Sequence, residues 1–332
     1  MAVKDEVLKA LENSKGNYIS GEELSQKLNV SRAAVWKGIK SLREEGFVIE
    51  AVTNKGYRMP LDKDAITKDA VRLSLPLQMR NNDILVFDTI DSTNVKAKQL
   101  VVEGKIGHGS AIIASQQTAG RGRLGRSFHS PKNGLYLSVV IKPDFEMSKS
   151  TLVTVATAVA VAEAIDDVCG CEEPAKIKWV NDIYLNNKKV CGILTEAIAD
   201  FETGSIDSLI IGVGINTSTK GFPDELKSIA GAVEGRYSRA QLAAKVIEGI
   251  IDHVKEISDD LPGFIETYRE RSLLTGREIK VYKGVYRKDP ADEIRGIKAK
   301  AMGIDDEGGL IVMYESGETE TLTTGEVSVR LD

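Results

Sequence analysis

Residues 115–134 read SQQTAGRGRLGRSFHSPKNG, and no other stretch narrows the architecture as much. Gly120 to Arg126 holds three glycines and three arginines. Taken mechanically, Gly120 to Gly125 fits the dinucleotide pattern G-x-G-x-x-G, and Gly120 to Ser127 nearly fits the P-loop, with Arg126 where its lysine belongs. Either match would require a doubly wound or P-loop sheet, because in both the glycine turn opens a helix whose first amides face phosphate. The chain continues RSFHSPKNGLYLSVVI instead. Pro131 and Gly134 stop any helix, the next regular run is a strand, and arginines fill positions that close backbone packing keeps small. Both nucleotide-fold readings are therefore excluded.

Glycine lets a backbone wrap a ligand, and guanidinium groups offer planar charged forks to carboxylate or phosphate. A solvated RGG-like segment is the alternative, and the strand-like runs on both sides argue against it. Joining a carboxylate to the α-phosphate of ATP brings two anions together, and cations between them offset the repulsion.

The 332 residues, 42% hydrophobic and 28% charged, leave room for two or three domains with sizeable cores. Residues 1–60 form the first. DEVLKALEN carries Val7, Leu8 and Leu11 at helical spacing. Ser20 with Glu23 has the form of a capping box, and Leu24 and Leu28 give the buried face of the helix it starts. Ser31 caps a third helix, which Gly46 ends. FVIEAVTNKGYRMP then alternates as a hairpin with Asn54-Lys55-Gly56 near its tip. Such an order makes a winged helix-turn-helix. From Ser31 to Arg43 the charge is +4 with no acid, and Lys55 and Arg58 add to it at the wing. Ser31, Arg32, Trp36, Lys37, Lys40 and Lys55 are the candidate DNA contacts, cations on phosphates and a few side chains at base edges. A protein-binding module with solvated charges is the alternative, and Trp36 suits packing as well as readout. The net charge of −5 argues against a surface that coats nucleic acid throughout, so any DNA contact is local.

Residues 61–83 hold a charged helical piece and a break at Pro76, and read as a linker helix. From 84 to 272 strand-like runs (DILVFDTI, SAIIASQQ, GLYLSVVIKP, AKIKWVNDIYLN, KKVCGILTEAI, SLIIGVGINT) are interspersed with helical ones at 92–104, 150–168 and 238–257. That is a central mixed α/β domain within a multidomain α+β chain, without regular βαβ repeats. Residues 273–332 switch to short alternating strands punctuated by glycines, as in a small β barrel. The apolar run 151–165 is too short to span a bilayer, and the first residues lack the form of a signal peptide. Cys169, Cys171 and Cys191 follow no zinc or redox spacing, which suits a reducing cytoplasm. Metal ligation by Cys169 and Cys171 is the weaker reading against two thiols at or near the surface.

Other short stretches carry polar chemistry. DSTN (91–94) follows a strand and starts a helix, so Ser92, Thr93 and Asn94 can offer hydroxyl and amide groups there, although simple capping explains one of them. KWVND (178–182) groups Lys178, Trp179, Asn181 and Asp182, with Lys189 a short hairpin away. GVGIN (212–216) is a strand interrupted by glycines, a mark of close approach to the backbone.

Together, DSTN, QQTAGRGRLGR, KWVND, KKVCGIL and GVGIN, in this order, resemble the catalytic domain of the biotin protein ligases. The whole chain resembles the bifunctional form, biotin ligase and biotin operon repressor, in which a winged helix precedes that domain and a small SH3-like β barrel follows it. The resemblance implies a biotin/lipoate-ligase-like central fold and a two-step, ATP- and Mg2+-dependent reaction. Biotin becomes biotinyl-5′-AMP and is passed to a lysine of a biotin carboxyl carrier protein. It implies that Ser92, Thr93, Asn94 and Gln117 hydrogen-bond biotin, whose neutral bicyclic urea needs matched donors and acceptors. Arg121, Gly122 and Arg123 belong to the loop that orders over ligand, and Arg123 retains the intermediate. Lys189 holds biotin near its reacting carboxylate. Arg126, Lys178, Asn181 and Asp182 serve ATP, the adenylate or its metal, with Asp182 the metal candidate, and Asn216 falls on the adenine side. Operator DNA, a homodimer, and biotinyl-AMP as co-repressor are implied as well. Val180 stands where the family has proline, which releases a fixed φ beside Asn181 and Asp182. After Asn216, Phe222 is the candidate for stacking on adenine, with a core role equally open. Two alternatives remain at this point: a lipoate- or octanoate-type ligase, and a ligand-sensing DNA-binding repressor without ligase activity.

Overall fold

Three helices, α1 (Val3–Asn13), α2 (Gly21–Leu28) and α3 (Arg32–Glu44), precede a hairpin of β1 (Glu50–Val52) and β2 (Gly56–Arg58). The structure is a computed structural model and describes residues 3–44, 47–60, 66–146, 149–199, 205–218, 220–235, 237–259, 261–283, 296–323 and 327–331. Ser20 Oγ accepts from Glu23 N at 3.0 Å and Ser31 Oγ from Ala34 N at 3.2 Å, so both expected caps form. The Gly46 stop lies outside the described residues. Leu8, Leu11, Leu24, Val35, Ile39 and Leu42 are buried, so each helix spends its apolar stripe inside the module. That leaves Ser31, Arg32, Trp36, Lys37 and Lys40 exposed on one side of α3 and Lys55 exposed on the wing. Arg43 and Arg58 are engaged within the module. Arg43 donates to Ile49 O at 2.6 Å, and Arg58 pairs with Glu50 at 2.6 Å.

After the wing, α4 (Lys68–Ser74), capped by Thr67, buries Ala70 and Val71. The central elements follow as β3 (Ile84–Phe87), α5 (Thr93–Val102), β4 (Ala111–Ala114), β5 (Leu135–Ile141), α6 (Ser150–Cys169), β6 (Lys176–Lys178), β7 (Asp182–Leu185), β8 (Lys188–Ala199), β9 (Ile206–Ile215), α7 (Arg239–Lys255) and α8 (Phe264–Arg271). Their strands form one sheet in the order β3-β4-β5-β9-β8-β7-β6. Among the described pairings of this sheet β3 with β4 is parallel and the rest are antiparallel. One expectation needs correcting. AKIKWVNDIYLN is not a single strand but the hairpin β6–β7, turning at residues 179–181. Trp179 and Val180 are buried in that turn, so its composition is that of a strand; the peptide between them is cis.

Side chains on a strand alternate between the two faces of its sheet. Leu135, Leu137 and Val139 of β5 and Ile211 and Val213 of β9 join the main core, which includes residues of α6 and α7. Val140 and Ile210 belong instead to a second cluster with Ala97 and Leu100 of α5. On that α5 face follow Ser138 of β5, Glu196, Leu194 and Gly192 of β8, and Gly212 and Gly214 of β9. Strand backbone with few side chains thus forms a floor beside the start of α5.

The C-terminal strands β10 (Glu278–Lys283), β11 (Ile297–Ile304), β12 (Leu310–Tyr314), β13 (Thr319–Leu322) and β14 (Val327–Leu331) form an antiparallel sheet in the order β13-β12-β11-β10-β14. Hydrogen bonds tie both flanking modules to the centre. Trp179 Nε1 donates to Gly308 O at 3.0 Å, and Arg269 Nε to Ile304 O at 2.9 Å. At the other end Ser238 Oγ, the cap of α7, donates to Glu12 Oε2 at 2.6 Å, and α4 packs on both α1 and α7.

Candidate functional site

A cleft of about 250 Å³ opens over the strand floor, between the start of α5, the Gly/Arg loop and the β6–β7 turn. The loop is a small hairpin. Phe128 N donates to Gly120 O at 2.9 Å and Gly122 N to Arg126 O at 2.7 Å, which puts Arg123, Leu124 and Gly125 at its tip. Leu124 sits there at φ 56°, a left-handed conformation uncommon for a branched side chain, and Gly125 follows at φ 71°. Gly120 has no room for a side chain, since a Cβ would come within 2.4 Å of Ser130 Oγ and 2.5 Å of Phe128 O.

One end of the cleft is neutral and polar. Ser92 caps α5, and Gln117 Oε1 accepts from Thr93 N at 2.8 Å and from Thr93 Oγ1 at 3.1 Å. Asn94 is 4% exposed and lies against Gly212, where a Cβ would meet its Oδ1 at 2.3 Å. Ser138 Oγ stands 2.6 Å from Asn94 Oδ1 and 2.7 Å from Thr93 Oγ1. The glycine of β9 therefore does admit a close approach, by the Asn94 amide.

The other end is cationic. Arg121, Arg123, Arg126, Lys178 and Lys189 line it with the single carboxylate Asp182. In a chain whose net charge is −5, five cations against one acid mark a place for an anion. Lys189 Nζ lies 2.6 Å from Asp182 Oδ1, a charge contact rather than an aligned hydrogen bond. Arg123 Nη1 donates to Asn181 Oδ1 at 3.2 Å, and Asn181 Nδ2 donates to Ile193 O at 2.8 Å. Burial lowers the Arg123 pKa, and Asp182 opposes that shift while Arg126 adds to it.

Ser92, Thr93, Asn94, Gln117, Arg121, Gly122, Arg123, Arg126, Lys178, Asn181, Asp182 and Lys189 thus converge on one cleft. Asn216 does not line it. Its Nδ2 donates to Gly231 O at 3.0 Å and its backbone pairs with Val190 and Val233, so it fastens a neighbouring segment. Phe222 is buried edge-on against His129, with ring centroids 6.1 Å apart. Two aromatics do line the cleft, Trp179 of the β6–β7 turn and Phe128, which lies over Gly192 and Gly214, with Lys189 Nζ 6.0 Å from its ring centre. Phe128, Ser138 and Glu196, a carboxylate reached through Asn94, are absent from the sequence reading. A ring two positions past a glycine loop was a visible signal for Phe128; Ser138 and Glu196 follow only from strand register.

No group of His, Cys, Asp and Glu among the described residues forms a metal cage, and the three cysteines are free thiols. Asp182 and the Asn181 amide do suit an ion such as Mg2+, which keeps most of its waters and takes one or two carboxylates plus phosphate oxygens. No helix among the described residues is long and apolar enough to cross a membrane.

Residues 86–216 match the model of the biotin/lipoate A/B protein ligase family, 4–58 an HTH domain, and 290–330 the biotin protein ligase C-terminal domain. The chain is 34% identical to the bifunctional ligase/repressor BirA of Bacillus subtilis over 326 residues, 95% of each chain. It is 28% identical to that of Escherichia coli, over 95% of this chain and 94% of the other. Among solved structures, the biotin protein ligase from Aquifex aeolicus in complex with biotin and ATP superposes with a TM-score of 0.61 at 29% identity, covering 75% of this chain and 99% of that one.

Proposed function

Since the chain belongs to the biotin protein ligase family, in the form that joins ligase and repressor, we propose that it activates biotin with ATP and passes it to a lysine of a biotin carboxyl carrier protein. The observation that carries this reading is the division of one cleft into a neutral polar end and a five-cation end. A bicyclic urea fits the first, and a carboxylate meeting a phosphate fits the second.

In the first step a carboxylate oxygen of biotin attacks the α-phosphorus of ATP, the bond to the β-phosphate side breaks, and pyrophosphate leaves. In the second, the acceptor lysine amine attacks the anhydride carbonyl, AMP leaves, and the amine proton is lost. Ser92, Thr93, Asn94 and Gln117 orient the ring system. Arg121, Arg123 and Lys189 hold the two anions together, and Arg126 and Lys178 extend the positive field along the phosphates. Asp182 and Asn181 would hold Mg2+, which offsets phosphate charge. Released from Lys189 by the biotin carboxylate, Asp182 also faces the incoming amine.

The HTH domain supports the second half of the reading: residues 1–60 bind operator DNA through Arg32, Trp36, Lys37, Lys40 and Lys55, with Ser31 at the helix start. The protein acts in the cytoplasm as a homodimer whose two winged helices meet two half-sites, with biotinyl-5′-AMP as co-repressor. Labelled pyrophosphate should exchange into ATP with biotin and not with lipoate or octanoate. No exchange with any of the three acids, from folded protein with magnesium, refutes the ligase. Equal DNA affinity with and without biotin plus ATP refutes the co-repressor.

A further inference from the structure

Asn94 is an amide with two hydrogens to give and one oxygen to accept with, and turning it over exchanges the two ends. In the cleft its surroundings decide the question. Nδ2 donates to Glu196 Oε2 at 2.7 Å and to Leu194 O at 3.3 Å, while Oδ1 accepts from Ser138 Oγ at 2.6 Å. The reversed amide would set its oxygen against a carboxylate and a carbonyl. Both hydrogens are therefore committed, and what Asn94 can still offer a ligand is a lone pair on Oδ1. Glu196 is held in turn by Lys98, one helical turn beyond Asn94 on α5, at 2.6 Å. Burial raises the Glu196 pKa, but the hydrogen bonds from Lys98 and Asn94 outweigh it and keep the carboxyl below its ordinary value.

We infer that Glu196 is a specificity-determining positioning residue: with Lys98 it fixes Asn94 as an acceptor, so the polar end of the cleft selects a ligand with an N–H to donate. This rests on the biotin reading and sharpens it. The ureido group of biotin carries such N–H groups, whereas the dithiolane of lipoate and the chain of octanoate carry none. A site built to pair a polar group rejects analogues that lack it far more strongly than an apolar pocket rejects a change of size.

The test uses the full-length chain in biotin-dependent pyrophosphate exchange. In Glu196→Gln the Lys98 ammonium claims the carbonyl of the substituted side chain and turns its amide hydrogens toward Asn94, which favours the reversed Asn94. The KM for biotin should rise about tenfold or more, the scale of one buried pairing lost, with kcat within about threefold. Adding Lys98→Met frees that carbonyl to accept from Asn94, and the double variant should recover most of the loss. A structural role for Glu196 predicts the opposite order, since the double variant removes two partners. A KM within about twofold of wild type for Glu196→Gln, or a double variant no better than the single, overturns the inference. Wild-type protein without biotin-dependent exchange would overturn the parent reading, and this one with it.

Discussion

Arg123 of the Gly/Arg loop and Asn181 of the β6–β7 turn both line the cleft and are joined by a bond of 3.2 Å. Replacing Arg123 with Met removes a charged donor whose hydrogen bonds are each worth about 1.5–3 kcal/mol. The adenylate should then escape about 10- to 100-fold faster, as read by trapping biotinyl-AMP in the filtrate; unchanged retention would remove Arg123 from that role. Much of the site is legible in single residues, because DSTN, the Gly/Arg loop and KWVND are contiguous and chemically unusual. Ser138 and Glu196 were not, since a serine and a glutamate inside strands have no local signature. Only the pairing of Ser138 with Gly212 on β9 brings it to Asn94.

Among the elements, the β8–β9 pair works by what it omits. Gly192 pairs with Gly214, leaving space for the Phe128 ring, and Gly212 leaves space for Asn94. Gly212→Ala should therefore displace the Asn94 amide and weaken biotin binding by at least about tenfold, with about 1–3 kcal/mol lost to overpacking. Calorimetric titration with biotin measures the first and denaturant unfolding the second; intact affinity would show that the floor is not needed. The glycines were legible in GVGIN as a place of close approach, although the β6–β7 hairpin was not, because its turn is buried and apolar. A second device links α6 to α7. His253 lies 2.9 Å from both Glu163 and Glu256. Burial lowers its pKa, but the two carboxylates outweigh it and raise it above 6.5, while the imidazole holds Glu163 below 4.5. The His253 contribution is full below its unfolded pKa of about 6.5 and is lost as pH rises through the higher folded value. That of Glu163 is lost at the acid end, as pH falls through its depressed pKa. His253→Gln should flatten the alkaline side of a melting-temperature profile taken from about pH 6 to pH 9; an unaltered profile would refute the linkage.

Across the whole molecule, one flanking module is fastened to a residue that lines the cleft and the other to the start of α7. The C-terminal sheet receives the Trp179 indole N–H at Gly308, immediately before Val180, Asn181 and Asp182. Trp179→Phe keeps an aromatic side chain but loses the indole N–H and leaves that carbonyl unpaired, at a cost of about 1–3 kcal/mol. Its melting temperature should fall and its KM for ATP should rise; if neither moves, the contact is idle. On the other side Glu12 of the DNA-reading module meets the cap of α7, and the next residue, Arg239, donates to Gly134 O at the entrance to β5. These seams were not legible in the sequence, where Ser238 merely begins a helical run, Trp179 is a strand residue and 61–83 a linker. Long-range pairing chose their partners.

The concentration of positive charge in the cleft has a kinetic consequence. Net −5 overall with +4 in the cleft leaves −9 over the rest of the chain, so apart from the basic face of α3 an approaching anion is favoured at the mouth, where field lines converge. Encounter and turnover should therefore part company when salt is added. Ions shrink the reach of the field to about 8 Å at physiological strength, slowing capture of ATP while leaving an already bound reactant to its own barrier.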